Sequence, residues 1–104
     1  MNIPSTVKIG GIVYDLMFSN TVARDSNSLG SSCANSCEIL IDSTIPKQNQ
    51  ESTLIHEIIE QINYRYELNL EHNKITTLET ALYQVIKDNP GMFKDGEVYG
   101  KGQD

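Results

Sequence analysis

The spacing of hydrophobic and polar positions changes near the middle of this 104-residue chain. Between residues 6 and 42, apolar residues occur in short runs bounded by glycine, asparagine and serine, which indicates strands joined by turns. Between residues 49 and 88 they recur every three or four positions, which predicts amphipathic helices. We therefore predict an α+β fold in which a small antiparallel sheet of three to four strands packs on two helices.

The first half of the chain carries the strand pattern. Residues 6–19 predict a strand, a tight Gly-Gly turn and a second, buried strand whose apolar run is nearly continuous. Residues 29–34 and 37–42 predict a weaker and a clearer strand joined by a hairpin turn, the latter with a buried face of cysteine and isoleucine. The polar residues 20–28 predict an exposed loop.

Two amphipathic helices follow the strands. The first is predicted to be capped near Asn49, to carry Glu51 in its first turn and to end at residues 64–66. Its broad apolar face consists of Leu54, Ile55, Ile58, Ile59 and Ile62. The second spans residues 71–88 and stops at the Asn-Pro-Gly sequence that follows. Its apolar stripe consists of Ile75, Leu78, Ala81, Leu82, Val85 and Ile86.

Size and composition predict one domain, residues 1–90, followed by a flexible tail, residues 91–104. The net charge of -6 argues against a nucleic-acid groove and a polybasic membrane anchor, since both need clustered lysine and arginine. No apolar run reaches the roughly 18 residues of a transmembrane helix, and the first residues lack the pattern of a signal peptide. Two cysteines are too few for a disulfide scaffold, so we expect a cytoplasmic protein with reduced thiols, its oligomeric state left open.

The first helix carries the sequence His-Glu-x-x-Glu at residues 56–60, which differs from the zinc-peptidase motif H-E-x-x-H at its last position. Residues four apart lie on one face of a helix, so His56 and Glu60 are placed to hold one metal ion. Zinc accepts carboxylate oxygen as well as imidazole nitrogen. Glu57 stands where the motif has the general base that activates water, and we predict that role for it.

A catalytic zinc site takes three protein ligands and leaves one position for water. The predicted third ligand is His72, the only other histidine of the chain, in the first turn of the second helix. The short connection makes the two helices antiparallel neighbours, which brings the start of the second near the end of the first. Glu71 and Glu79 are alternative ligands from the same helix.

Simpler interpretations of these residue types stay open. A histidine and a glutamate four residues apart also form an ordinary pair on a helix surface. Cys33 and Cys37 have the spacing of half a zinc knuckle, but without a second pair they fit a buried small hydrophobic residue and its neighbour better. Tyr83 fits core or interface packing, with orientation of a substrate oxyanion as the alternative.

The order of these features resembles the small zincin-like metallopeptidases, in particular short phage and prophage proteins, and more distantly the ImmA/IrrE-type zinc peptidases. In these families a strand and a polar loop precede a helix with T-L-x-H-E-x-x-H, and a second helix has an acidic residue or histidine in its first turn. The resemblance covers residues 29–90. It implies a minimal zincin-like fold, Zn²⁺ held by His56, Glu60 and His72, and Glu57 as general base. Glu60 departs from the family pattern, which has histidine there.

Three functions follow as hypotheses. The first is a zinc-dependent peptidase, acting in the host cytoplasm if phage-encoded, with a peptide substrate added along an edge strand at residues 29–34. The second is a catalytically inactive zincin scaffold that occupies a host or phage partner protein through its acidic surface. The third is a structural metal site closed by a fourth ligand, Glu79 or Glu71.

Overall fold

The computed structural model describes residues 1–22 and 28–93. These residues form four strands and two helices: β1 (Thr6–Ile9), β2 (Ile12–Ser19), β3 (Gly30–Cys33), β4 (Glu38–Asp42), α1 (Lys47–Arg65) and α2 (His72–Asp88). The arrangement confirms the predicted α+β class. The loop predicted at residues 20–28 lies mostly outside the described residues, as does the tail predicted at residues 91–104.

The described strands form one mixed sheet in the order β1-β2-β4-β3. β1 and β2 are antiparallel across the predicted tight turn, where Gly10 and Gly11 have φ angles of 58° and 81° that favour glycine. β3 and β4 are also antiparallel, and β4 lies between β2 and β3. β3 runs in the direction opposite to β2, and β4 returns between them, so the central pair β2 and β4 is parallel. This differs from the antiparallel pairing expected throughout the sheet.

β2 is buried on one face only, so the prediction of a buried strand is wrong. Tyr14 and Leu16 point into the core and are 0% and 8% exposed. Val13 and Met17 alternate with them and remain exposed on the opposite face. α1 covers only one side of the sheet, so the apolar residues of β2 that face the other side stay exposed.

α1 begins at Lys47, earlier than the predicted cap at Asn49. Pro46 precedes it, and its fixed φ and missing N–H suit the start of a helix. Glu51 consequently lies in the second turn rather than the first, and it is buried. Its carboxylate accepts hydrogen bonds from the Tyr83 hydroxyl at 2.6 Å and the Lys87 ammonium at 3.4 Å, which ties α1 to α2.

The apolar residues of α1 divide between two neighbours. Leu54 packs on the inner face of the sheet, against a cluster that includes Ile39 and Ile41. Ile55 and Ile59 pack against Ile75 of α2. The apolar face predicted for α1 is thus confirmed, and α1 lies between the sheet and α2.

The apolar stripe predicted for α2 is buried only in part. Ile75 is 2% exposed and Ile86 is half-buried. Leu78, Leu82 and Val85 are each at least 36% exposed, which corrects their assignment to the core. α2 contacts α1 along one edge of its stripe, and the rest of the stripe faces outward because no described element covers it.

The connection between the helices holds Glu67 at a φ of 52°, in the left-handed region where a helix commonly ends on glycine. A non-glycine residue there costs about 1–2 kcal/mol. We expect Glu67→Gly to raise the free energy of unfolding by about 0.5–1 kcal/mol, because relief of this strain exceeds the added backbone entropy of glycine. Urea denaturation measures this change in the free energy of unfolding.

The matched control for this prediction is Glu71→Gly. Glu71 has a φ of -74°, so glycine relieves no strain there. A urea midpoint of Glu67→Gly that is equal to or lower than the wild-type midpoint would contradict the assignment of strain to Glu67.

Candidate metal centre

The three predicted metal ligands lie together at one end of a pocket between β3, α1 and α2. His56 Nε2 is 3.3 Å from Glu60 Oε2, one helical turn along α1. The same carboxylate oxygen is 3.7 Å from Nδ1 of His72, at the start of α2. One ligand atom from each of the three residues lies within 4.8 Å of the others. The structure therefore brings together the set chosen from the sequence.

Two of the three separations between these atoms are close to those of a tetrahedral ion. Zinc binds nitrogen and oxygen ligands at about 2.0–2.2 Å, which places two ligands of a tetrahedral site about 3.4 Å apart. The two distances to Glu60 Oε2 bracket this value. His56 and Glu60 are partly buried, whereas the His72 side chain is 75% exposed, so the site opens to solvent on the α2 side.

Glu79 lies on the other side of the His56 ring and does not join the three ligands. Its Oε1 atom is 2.9 Å from Nδ1 of His56, and its Oε2 atom accepts a hydrogen bond from the Ser52 hydroxyl. A carboxylate at Nδ1 holds the proton on that nitrogen and leaves Nε2, the atom facing Glu60, with a free lone pair. Glu79 is thus placed to orient a ligand rather than to replace His72.

The other alternative ligand, Glu71, is the residue that precedes α2. It is exposed and is absent from the His56, Glu60 and His72 group. Among the described residues that group contains three protein ligands and no fourth.

Removing the charge of Glu79 should weaken zinc binding without removing a ligand. We expect Glu79→Gln to lower zinc affinity about ten- to hundredfold, because the imidazole loses the partner that fixes its tautomer and ring orientation. Competition with a chromophoric chelator measures the affinity. Glu71→Gln removes an equal charge from the residue that precedes the same helix and should leave zinc affinity within about twofold. An equal loss of affinity in both variants would contradict the orienting role.

Glu57 follows His56 in the chain but points towards β3. It is 7% exposed. Burial raises the pKa of its carboxyl group, against the effect of a hydrogen bond from the Ser32 side chain. A raised pKa brings a carboxyl group nearer to the range in which it accepts and returns a proton at neutral pH. The position and the environment therefore suit a general base.

Gly30 allows α1 to pack closely against the edge strand β3. A Cβ atom at that position would lie 2.5 Å from the Thr53 side chain and 3.4 Å from Oε2 of Glu57. The first distance is shorter than side chains tolerate, so glycine is required for the contact between the edge strand and this face of the helix.

Two polar residues of the site were not identified from the sequence. Ser32 and Gln61 line the pocket beside Glu57. Gln61 follows Glu57 by four residues, so the spacing alone places it one turn further along the same face of α1. Ser32 had no such signal, since its contact with α1 depends on how the sheet packs.

The remaining sequence candidates do not belong to the metal group. The Tyr83 hydroxyl donates to Glu51 away from the pocket, which supports its packing role and corrects the oxyanion alternative. Cys33 and Cys37 are both free thiols. Cys33 is exposed at the rim of the pocket, and Cys37 is half-buried and packs against the core cluster between the sheet and α1.

Neither helix of the described chain has the length and apolar character needed to cross a membrane. A scan against protein-family models finds no match to the chain. Searches of curated proteins and of solved structures likewise find no significant match. The resemblance to zincin-like peptidases therefore stays a prediction drawn from the motif, and function must be argued from the geometry of the site.

Proposed function

We propose that this protein is a zinc-dependent hydrolase of peptide bonds. The observation that carries the proposal is the convergence of His56, Glu60 and His72 beside the buried carboxyl group of Glu57 in one pocket. Two imidazoles and one carboxylate are a usual ligand set of catalytic zinc. Three protein ligands leave a coordination position open, which argues for a catalytic rather than a closed structural site.

A zinc ion held there would supply a Lewis acid that polarises a carbonyl group and makes water more acidic. Glu57 is the group of this chain placed to accept the proton of the attacking water and to return it to the leaving amine. The Glu79 carboxylate beside Nδ1 favours the His56 tautomer that a metal ligand needs. Glu60 carries a negative charge where the family motif has a neutral imidazole, so water activation should be weaker than with two histidines on α1.

The proposed substrate is an extended peptide. β3 is an edge strand, and its residues line one wall of the pocket opposite the metal ligands. An edge strand has backbone groups free to pair with another extended chain. A peptide added along β3 would be held by backbone hydrogen bonds and pass beside Glu57 and the metal ligands. The proposal includes the cytoplasmic location expected from the sequence.

The test is hydrolysis of a mixed library of unstructured peptides by the purified chain. We expect cleavage that stops when a chelator removes zinc and returns when zinc is restored. Cleavage that persists without metal would contradict the proposal. Stoichiometric zinc binding without cleavage of any peptide would reject hydrolysis and favour the alternative, an inactive scaffold that occupies a partner protein.

A further inference from the structure

The outward side of α2 carries an apolar stripe of three exposed residues. Leu78, Leu82 and Val85 lie four and three residues apart, so their side chains form one line along the helix. His72 and Glu79 lie on a different side of α2, where both contact side chains of α1. This outer stripe is therefore separate from the candidate metal centre, and none of the described elements covers it.

One flank of the outer stripe carries two charges of opposite sign. Lys74, Ala81 and Asp88 are exposed and recur every seven residues, which at about 100° per residue places them on the flank away from α1. Lys74 lies in the first turn of α2, and Asp88 is its last residue. The hydrogen bond that Asp88 accepts from Gln84 comes from a neutral amide, so the charge of Asp88 is not compensated by it.

Neither of these charges stabilises α2 as an isolated helix. The dipole of a helix favours acidic residues in the first turn and basic residues in the last turn, the reverse of Lys74 and Asp88. The stability of α2 itself therefore does not explain their placement. A partner that brings an acidic group to the start of the stripe and a basic group to its end would explain both.

A second copy of α2 is such a partner when the two helices pack antiparallel. A twofold axis near Ala81 brings the same flank of both helices together, because an isologous interface uses the same surface twice. Lys74 of each copy then lies opposite Asp88 of the other, and Leu78 lies against Leu82. The small side chain of Ala81 at the centre lets the helices approach closely. In a parallel pair the two ends that carry Lys74 would lie side by side, far from Asp88.

We propose that the outer stripe of α2 is the interface of a homodimer in which two α2 helices pack antiparallel about a twofold axis near Ala81. Burial of Leu78, Leu82 and Val85 from both copies supplies the attraction. Exposed ion pairs contribute little free energy, so Lys74 and Asp88 select the antiparallel orientation rather than drive association. The interface depends neither on zinc nor on hydrolysis of peptides.

Sedimentation equilibrium of the full chain, with and without zinc, tests the interface. We expect a species of twice the 11.6 kDa chain mass that dissociates on dilution and does not respond to zinc. Leu82→Lys should make the chain monomeric, and circular dichroism should show a retained fold because Leu82 is 42% exposed. Met17→Lys, which replaces an apolar residue of similar exposure on the outer face of the sheet, should leave the dimer intact.

Charge exchange tests the antiparallel orientation. Lys74→Glu sets two carboxylates against each other at both ends of the interface, and Asp88→Lys sets two ammonium groups there. Each change should raise the dimer dissociation constant about tenfold at low salt. Both changes suit the helix dipole better than the native residues do, so a weaker dimer would not reflect a weaker helix. The double variant restores opposite charges and should return the constant close to its wild-type value.

A chain that stays monomeric at every concentration up to about 1 mM would overturn the interface. A dimer that survives Leu82→Lys would do the same. A double variant no tighter than the two single variants would overturn the antiparallel orientation. Because the experiment measures mass alone, its outcome is independent of whether the chain hydrolyses peptides.

Discussion

Replacing Glu57 with glutamine should abolish peptide hydrolysis while leaving the metal site intact. Loss of a general base lowers kcat by about two to four powers of ten. Glutamine keeps the shape of the side chain and can still accept the hydrogen bond from Ser32, so only the ability to take up a proton is removed. Zinc affinity should stay unchanged, because Glu57 points to β3 and is not among the clustered ligands.

The fold should not suffer in this variant. Burial disfavours the charged form of Glu57, as its raised pKa shows, so a neutral amide is at least as well accommodated. The thermal midpoint is therefore expected to stay constant or to rise. Glu71→Gln serves as the charge-matched control and should keep full activity. Hydrolysis of peptides by Glu57→Gln at the wild-type rate would contradict the role of Glu57 as general base.

Replacing His56 with alanine should have the largest effect on zinc. His56 is the ligand held on both sides, by Glu60 at Nε2 and by Glu79 at Nδ1. Its loss leaves two ligands and removes the imidazole that separates the two carboxylates. We expect zinc affinity to fall by more than the roughly hundredfold that loss of an outer-shell partner can cost. Equilibrium dialysis with metal analysis measures the affinity of each variant.

Cys33→Ser is the informative control for this measurement. Cys33 lies at the rim of the same pocket, and thiolates bind zinc well, but it does not belong to the ligand group. Its replacement should leave affinity unchanged. Zinc binding that survives His56→Ala and is lost with Cys33→Ser would place the metal elsewhere in the pocket.

Local spacing was enough to predict much of the fold. The face of Leu54, Ile55 and Ile59 follows from helix geometry, and the structure confirms it. Which strands become neighbours depends on contacts far apart in sequence, so the parallel pairing of β2 with β4 was not predicted. The exposure of Leu78 and Met17 has a similar cause, because apolar spacing marks a face but does not say whether another element covers it.

The candidate site was likewise predictable only where its residues are close in sequence. His56 and Glu60 share one helix, so their closeness could be read from the sequence, and the short connection between helices located His72. Sequence spacing suggests Glu79 only as a ligand, because its contact with Nδ1 rather than Nε2 of His56 depends on how the helices pack. The contact of Ser32 with Glu57 joins β3 to α1 and has no local signal.

The most direct test of the account is X-ray absorption spectroscopy of the zinc-loaded chain at one equivalent of metal. The predicted sphere has two imidazole nitrogens at about 2.0–2.1 Å and carboxylate oxygen at about 2.0–2.2 Å, with a remaining position open to water. His72→Ala should remove one imidazole from this sphere. Sulfur in the sphere, a sphere that keeps both imidazoles in His72→Ala, or failure to bind one equivalent of zinc would contradict the site formed by His56, Glu60 and His72.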